Sequence, residues 1–160
     1  MNTAIRAAVV TVSDSRDVNT DKSGDKLAEL VAMVGGEVVE RMIVSDDLEG
    51  LRNTLYSLTE RDDINLILTT GGTGFGPRDN TPEATQAVIE REALGLAEAM
   101  RRETYSQTPL SMLSRGICGI RGATLIVNLP GSPKAVEECF AVISPVLAHA
   151  IRLLTGQTEH

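Results

Sequence analysis

A three-layer αβα fold around a mostly parallel, mixed sheet is what this sequence predicts, and three observations predict it. Short β-branched apolar runs alternate with longer amphipathic stretches along the whole chain. One run, Ile64 to Thr70, is apolar almost throughout, which suits a central strand covered on both faces. Polar and glycine-rich turns follow the strand runs, where parallel strands hand over to helices.

The first strand is read at Ala7 to Ser13 (AAVVTVS), and the first helix at Ser23 to Val34, with Leu27, Leu30, Val31 and Val34 at helical spacing before Gly35-Gly36. Glu37 to Val44 gives a second strand. Asp46 to Arg61 gives a second helix, whose stripe is Leu48, Leu51, Leu55 and Leu58. After the third strand, Ile64 to Thr70, Thr81 is placed as the cap of a helix that opens on Pro82, where the missing N–H costs nothing, and runs to about Glu92. Gly95 to Tyr105 forms a further amphipathic helix. Leu113 to Asn128 reads as two strands joined at Arg121-Gly122, the first of them antiparallel. Ser132-Pro133 and Ser144-Pro145 repeat the cap-plus-proline pattern, which predicts a helix after each.

At 160 residues, without repeats or low-complexity tracts, the chain is expected to form one domain over 1–160. A net charge of −7 opposes DNA, RNA or an anionic membrane as partner, so an anionic ligand must be held by local groups. There is no Trp, and Tyr56, Phe75, Tyr105 and Phe140 are too few and scattered for a single-strand stacking platform. Cys118 and Cys139 make no CxxC pair, and neither His149 nor His160 has a second ligand nearby. Both thiols are read as core groups in a reducing compartment. The apolar run Ile5 to Val12 is too short for a membrane span, so a cytoplasmic protein is expected.

In a parallel sheet, ligands sit beyond the carboxyl ends of the strands. Four loops leave those ends: Ser13-Asp14, Ser45-Asp46, Gly71 to Thr81, and Asn128 to Ser132, with Ser114-Arg115 entering at the same rim. In TTGGTGFGPRDNTP, Gly71, Gly72 and Gly74 allow positive φ and a close approach of bare N–H groups, while Thr70 and Thr73 add hydroxyls. The following helix points its positive end at the same place. A simple tight turn is the bland alternative, and it needs less than this loop supplies. The loop is neither GxxxxGK[ST] nor GxGxxG. Arg78 offers a cation to phosphate oxygens, and Asp79 a carboxylate for Mg²⁺. Asp46 and Asp47 leave the neighbouring strand at this edge, although a helix cap explains Asp46 equally and a first-turn anion is the better reading of Asp47. A second glycine loop, Asn128 to Lys134 (NLPGSPK), repeats the arrangement with Pro130, Gly131 and the cap Ser132. Its Lys134, unfavourable in a first helical turn, gains from a nearby anion, although a solvated surface lysine is as good a reading. For Ser13 and Asp14, a turn-stabilising role is as good a reading as a ligand role.

The run TTGGTGFGPRDNTPEAT resembles the TTGGTG…RDxTPEAT signature of the Mog/MoaB-type molybdopterin adenylyltransferases of molybdenum cofactor biosynthesis. VTVSDSR, IVSDD, LSR at Leu113 to Arg115 and LIVNLPGSPKAVEE extend the likeness over almost the whole chain. The resemblance implies that the terminal phosphate of molybdopterin attacks the α-phosphate of ATP, with Mg²⁺ as cofactor, giving adenylyl-molybdopterin and pyrophosphate. It implies that Asp46 and Asp79 are the catalytic, metal-holding pair, and that the GGTG and NLPGSP loops bind the pterin phosphate and the nucleotide. It also implies a homo-oligomer, trimer or hexamer, working beside other enzymes of the same pathway. Ser45 stands where the family often has Pro, Asn80 where it often has Val, and Phe75-Gly76-Pro77 falls where the family varies; no charged group is lost. Gephyrin and its plant and animal relatives fuse such a domain to a second one, for which 160 residues leave no room, so molybdenum insertion is not expected here.

Overall fold

The computed structural model describes residues 4–157; His160, set aside above as no ligand, lies outside them. Strand β1 (Arg6–Val12), helix α1 (Lys22–Met33), strand β2 (Glu37–Val44), helix α2 (Leu48–Thr59) and strand β3 (Leu66–Thr70) alternate as the apolar pattern requires. They are followed by helix α3 (Thr81–Gln86), a short strand β4 (Arg91–Glu92), helix α4 (Leu94–Thr104) and a 3-10 turn (Pro109–Leu113). Strands β5 (Cys118–Arg121) and β6 (Thr124–Leu129) and helix α5 (Pro133–Leu154) complete the chain.

One sheet holds the strands in the order β2-β1-β3-β6-β5-β4. The first four are mutually parallel and β5 runs against them, giving the mostly parallel, mixed α/β sheet expected. The pleat sorts the core, because successive side chains on a strand face opposite ways. Ala7, Val9, Leu66, Leu68, Leu125 and Val127 meet Leu27 and Val31 of α1, Met100 of α4, and Phe140, Ile143 and Leu147 of α5. Ala8, Val10, Ile67 and Ile126 meet Leu51, Leu55 and Leu58 of α2 and Ala84 of α3. Each large side chain so buried contributes about 1.5–3 kcal/mol relative to exposure. This two-sided burial makes β1, β3 and β6 a rigid floor under the loops at their carboxyl ends.

Several boundaries differ from the sequence reading, each for a physical reason. Helix α1 is capped by Asp21 rather than opened at Ser23; its buried carboxylate accepts from the Gly24 amide at 3.1 Å and pairs with Arg41 at 3.1 Å. Asp47, not Asp46, caps α2, accepting from the Gly50 amide at 2.8 Å. Thr81 does not cap α3: Asn80 takes that position without a side-chain cap bond, and the Thr81 hydroxyl donates to the Gly71 carbonyl at 2.9 Å. Helix α3 stops at Gln86 because the chain then joins the sheet edge, with Glu90 N donating to Ile120 O at 2.8 Å and Ala93 N to Cys118 O at 2.9 Å. The strand placed at Leu113 begins at Cys118 instead, since Pro109–Leu113 curls into the 3-10 turn. Ser144-Pro145 starts no helix, for α5 runs unbroken from Pro133 to Leu154 with Pro145 on its exposed side.

Candidate active site

The carboxyl ends of β1, β2, β3 and β6 deliver their loops to one rim. Asp14, just past β1, accepts from Arg78 Nε at 2.7 Å and Nη2 at 3.2 Å, and also from the Asp46 amide at 3.0 Å. One carboxylate thus joins the first loop, the second loop and the glycine loop. The Arg78 guanidinium and the Asp46 amide hold the Asp14 carboxyl below the usual carboxylate range. Asn80 completes the brace by donating from Nδ2 to the Asp46 carbonyl at 2.9 Å. The backbones carrying Asp46 and Asp79 are therefore fixed relative to each other through polar bonds on both sides.

Asp46 is half-buried, and among the described residues no cation pairs with it. Burial, and then the charge of Asp14, push its carboxyl above the ordinary range, with Asp79 acting in the same direction. Asp79 accepts from the Gly76 amide through Oδ2 at 2.8 Å. A Cβ at Gly74 would lie 3.0 Å from that oxygen, and one at Gly72 would lie 3.4 Å from Asp46 Oδ1. Both carboxylates thus lean over glycine backbone.

The loop between them is built to present donors. Gly71 and Gly72 have φ of 99° and 67°, the left-handed region that glycine alone enters freely. Among the described residues the amides of Gly72, Thr73, Gly74 and Phe75 donate to nothing, nor does the Thr73 hydroxyl. Consecutive unpartnered N–H groups in such a turn form a concave anion cradle. Helix α3 begins directly behind it, its first turn held by Thr81 N donating to Gly72 O at 3.1 Å.

The second glycine loop is packed against the first. Thr70, fully buried, donates to the Pro130 carbonyl at 2.6 Å; Gly71 N donates to Leu129 O at 3.2 Å; and a Cβ at Gly131 would lie 3.4 Å from Gly71 Cα. Ser132 caps α5 by accepting from Ala135 N at 3.2 Å. Asn128 is buried with its amide fully used: Nδ2 donates to Thr69 and Thr85 at 3.0 and 2.9 Å, and Oδ1 accepts from Ile117 N at 3.1 Å. Ser13 accepts from the amides of Ser15 and Arg16 at 3.2 and 3.1 Å, the turn-stabilising arrangement. Ser114 accepts from Gly116 N at 3.3 Å, while Arg115 reaches under the first glycine loop to donate to Gly74 O at 2.8 Å.

Beside the rim lies a cavity of about 500 Å³, lined by Pro130 and Ser132, by Met100 and Arg101 of α4, by Leu110 of the 3-10 turn and by Lys134 of α5. It is the size and mixed polarity of a small-molecule site. The wall from α4 and the 3-10 turn has no counterpart among the residues singled out from the sequence, where Arg16, which donates to Gly131 O at 2.9 Å, and Asn80 carry no site role. Their partners are backbone carbonyls distant in sequence, so no local spacing marks them. Cys139 also lines this cavity; burial pushes its thiol up to about 11, and that of Cys118 to about 12, which leaves both as protonated core groups at neutral pH.

Among the described residues no group of three or more His, Cys, Asp and Glu side chains could hold a metal, and no helix is long and apolar enough to cross a membrane.

A mostly parallel αβα sheet whose glycine loops and acidic side chains meet at the carboxyl ends of its strands defines a three-layer α/β domain with a candidate ligand site on one rim. The chain belongs to the MoCF_biosynth family, described as "Probable molybdopterin binding domain", whose model matches residues 8–149. It is similar to the molybdenum cofactor synthesis protein cinnamon of Drosophila melanogaster, 43% identical over 155 residues, which cover 94% of this chain and 26% of that protein. The chain thus spans about a quarter of that relative's length. The molybdopterin adenylyltransferase of Helicobacter pylori strain J99 is 34% identical over 156 residues, covering 95% of this chain and 89% of that one. A crystal structure of molybdenum cofactor biosynthesis protein B superposes with a TM-score of 0.92 at 36% identity, covering 98% of this chain and 99% of the other.

Proposed function

We propose that this chain is a molybdopterin adenylyltransferase, joining the terminal phosphate of molybdopterin to the adenylyl group of ATP with release of pyrophosphate. The observation that carries the reading is the run of unpartnered amides from Gly72 to Phe75, set between Asp46 and Asp79 on mutually braced backbones. That constellation suits phosphoryl oxygens flanked by a carboxylate-held cation, and the neighbouring cavity has room for the organic part of a substrate. The name of the Helicobacter pylori relative points to the same reaction.

In this reaction an oxygen of the molybdopterin phosphate forms a bond to the α-phosphorus of ATP, and the bond from that phosphorus to the bridging oxygen of pyrophosphate breaks. The attacking phosphate is already ionised at neutral pH, so the chain need not supply a general base. Its task is positioning and charge compensation. The amides of Gly72 to Phe75 and the Thr73 hydroxyl donate to phosphate oxygens, and Arg78 adds a cation when it is released from Asp14. Asp46 and Asp79 would hold Mg²⁺; burial and the charges of Asp14 and Asp79, which together push the Asp46 carboxyl up, fit a site that gains from a cation. Bound there, the ion would neutralise charge on the reacting phosphates.

Purified protein incubated with molybdopterin and Mg-ATP is expected to release pyrophosphate, and Asp46→Asn or Asp79→Asn to lower turnover by at least about 100-fold. Full activity in either variant removes the assigned roles. Molybdopterin binding without pyrophosphate release identifies a pterin-binding or assembly protein instead. The trimer or hexamer implied by the sequence resemblance belongs to the same proposal and is read by sedimentation.

A further inference from the structure

Arg115 spends its donors on the underside of the first glycine loop. Its backbone N–H donates to Thr73 O at 2.7 Å, Nε to Gly74 O at 2.8 Å and Nη2 to Asp79 O at 2.8 Å. Its remaining arm, Nη1, sits on the Glu83 carboxylate of α3, 2.7 and 3.1 Å from the two oxygens. One residue therefore grips three carbonyls of the loop and is itself anchored to the helix behind it.

The geometry of the peptide group gives this grip a direction. In a trans peptide the C=O of one residue and the N–H of the next point opposite ways. With the Thr73 and Gly74 carbonyls turned toward Arg115, the amides of Gly74 and Phe75 must turn away from it. Those are two of the four loop amides left without a partner. We infer that Arg115 is a positioning residue: resting on the reading that this loop holds phosphate, it and Glu83 set the aim of the Gly74 and Phe75 donors, and Arg115 does not itself bind the anion. A guanidinium occupied by two loop carbonyls and a carboxylate has little left to offer a ligand. Its planar fork, however, suits the spacing of those acceptors as a lysine ammonium does not.

Two substitutions separate this role from direct anion binding, because Glu83→Gln has opposite signs under the two roles and Arg115→Lys is retained under one and lost under the other. If Arg115 bound phosphate, Glu83→Gln would remove a competitor and tighten binding, and Arg115→Lys would keep most of the effect. If Arg115 positions the loop, Glu83→Gln loosens the anchor and Arg115→Lys behaves as a loss. Inorganic pyrophosphate with Mg²⁺, titrated by calorimetry, is expected to bind both variants about tenfold more weakly than the parent. With molybdopterin and Mg-ATP, kcat is expected to fall about 10–100-fold with a smaller change in KM, the signature of misaimed donors. The amide NMR signals of Gly74 and Phe75 in the ligand-free protein are expected to shift or broaden, a readout that stands even if the parent lacks adenylyl transfer. Glu83 is exposed, so Glu83→Gln is expected to fold even if Arg115→Lys does not. Tighter pyrophosphate binding in Glu83→Gln, parent-like affinity in Arg115→Lys, or unmoved Gly74 and Phe75 signals in either variant overturns the inference.

Discussion

Asp46 carries a cost that the ligand-free protein cannot avoid. Burial and the neighbouring Asp14 and Asp79 charges raise its carboxyl above the model-peptide value of 3.8, so the folded state keeps a proton there to higher pH than the unfolded chain does. The associated stability is fully present below the unfolded value and is lost as pH rises through the folded one. At pH 7 the ionised carboxylate therefore works against folding. In metal-free buffer, Asp46→Asn is expected to melt above the parent at pH 7, with the gap closing as pH falls below the ordinary Asp range. Equal melting temperatures across that window would contradict the account, and the trade of stability for function is common at such sites. At this scale, Asp79 and the cradle glycines lie in the loop that the glycine spacing marks, whereas Asp46 had a helix cap as a competing reading, a position that the structure gives to Asp47. Arg16 was not legible in the sequence, because its acceptor, the Gly131 carbonyl, lies 115 positions away.

Secondary structure was legible where burial is continuous and opaque where a distant contact decides. The runs Ala7 to Val12, Leu66 to Thr70 and Thr124 to Leu129 became strands because both faces are covered. Strand β4, only Arg91–Glu92 and exposed, has no apolar period to show; it exists because Glu90 and Ala93 find carbonyls on β5. Ser132-Pro133 and Ser144-Pro145 look alike locally and differ in what surrounds them. The buried line Val136, Phe140, Ile143, Leu147 and Ile151 passes straight through the second, so packing overrides the local stop. Pro145 still lacks the N–H that would meet the Ala141 carbonyl, which takes a 3.4 Å bond from the Ser144 hydroxyl instead. Pro145→Ala restores the donor at an exposed position and is expected to add about 1 kcal/mol to the stability, below the ~3 kcal/mol of an unadapted helix. Urea unfolding measures it, and a loss of stability would show that α5 needs the proline's shape.

Across the whole molecule, the sheet and its rim are tied together by one buried side chain. Asn128 of β6 bonds Thr69 of β3, Thr85 of α3 and the amide of Ile117 ahead of β5, which links the parallel core, the helix behind the cradle and the reversed strand. Asn128→Ala strands two hydroxyls and an amide in the interior. It is expected to cost about 2–3 kcal/mol, read as a lower denaturation midpoint with an unchanged m-value. A loss below about 0.5 kcal/mol would mean that water takes over those bonds. The asparagine was readable as part of the NLPGSP motif, but its place at this junction depends on strand order, which no local run of residues encodes.

The reversed direction of β5 also decides who can reach the rim. A parallel strand reaches it only with the loop that leaves its end, so four parallel strands provide four segments. Because β5 runs the other way, the segment entering it arrives at the rim, and Arg115 comes in from beneath the cradle rather than beside it. The loop thereby has a free upper surface and a supported lower one, built by chain segments that approach from opposite ends. Changes in the upper surface can then alter what is bound without touching what holds the loop in shape.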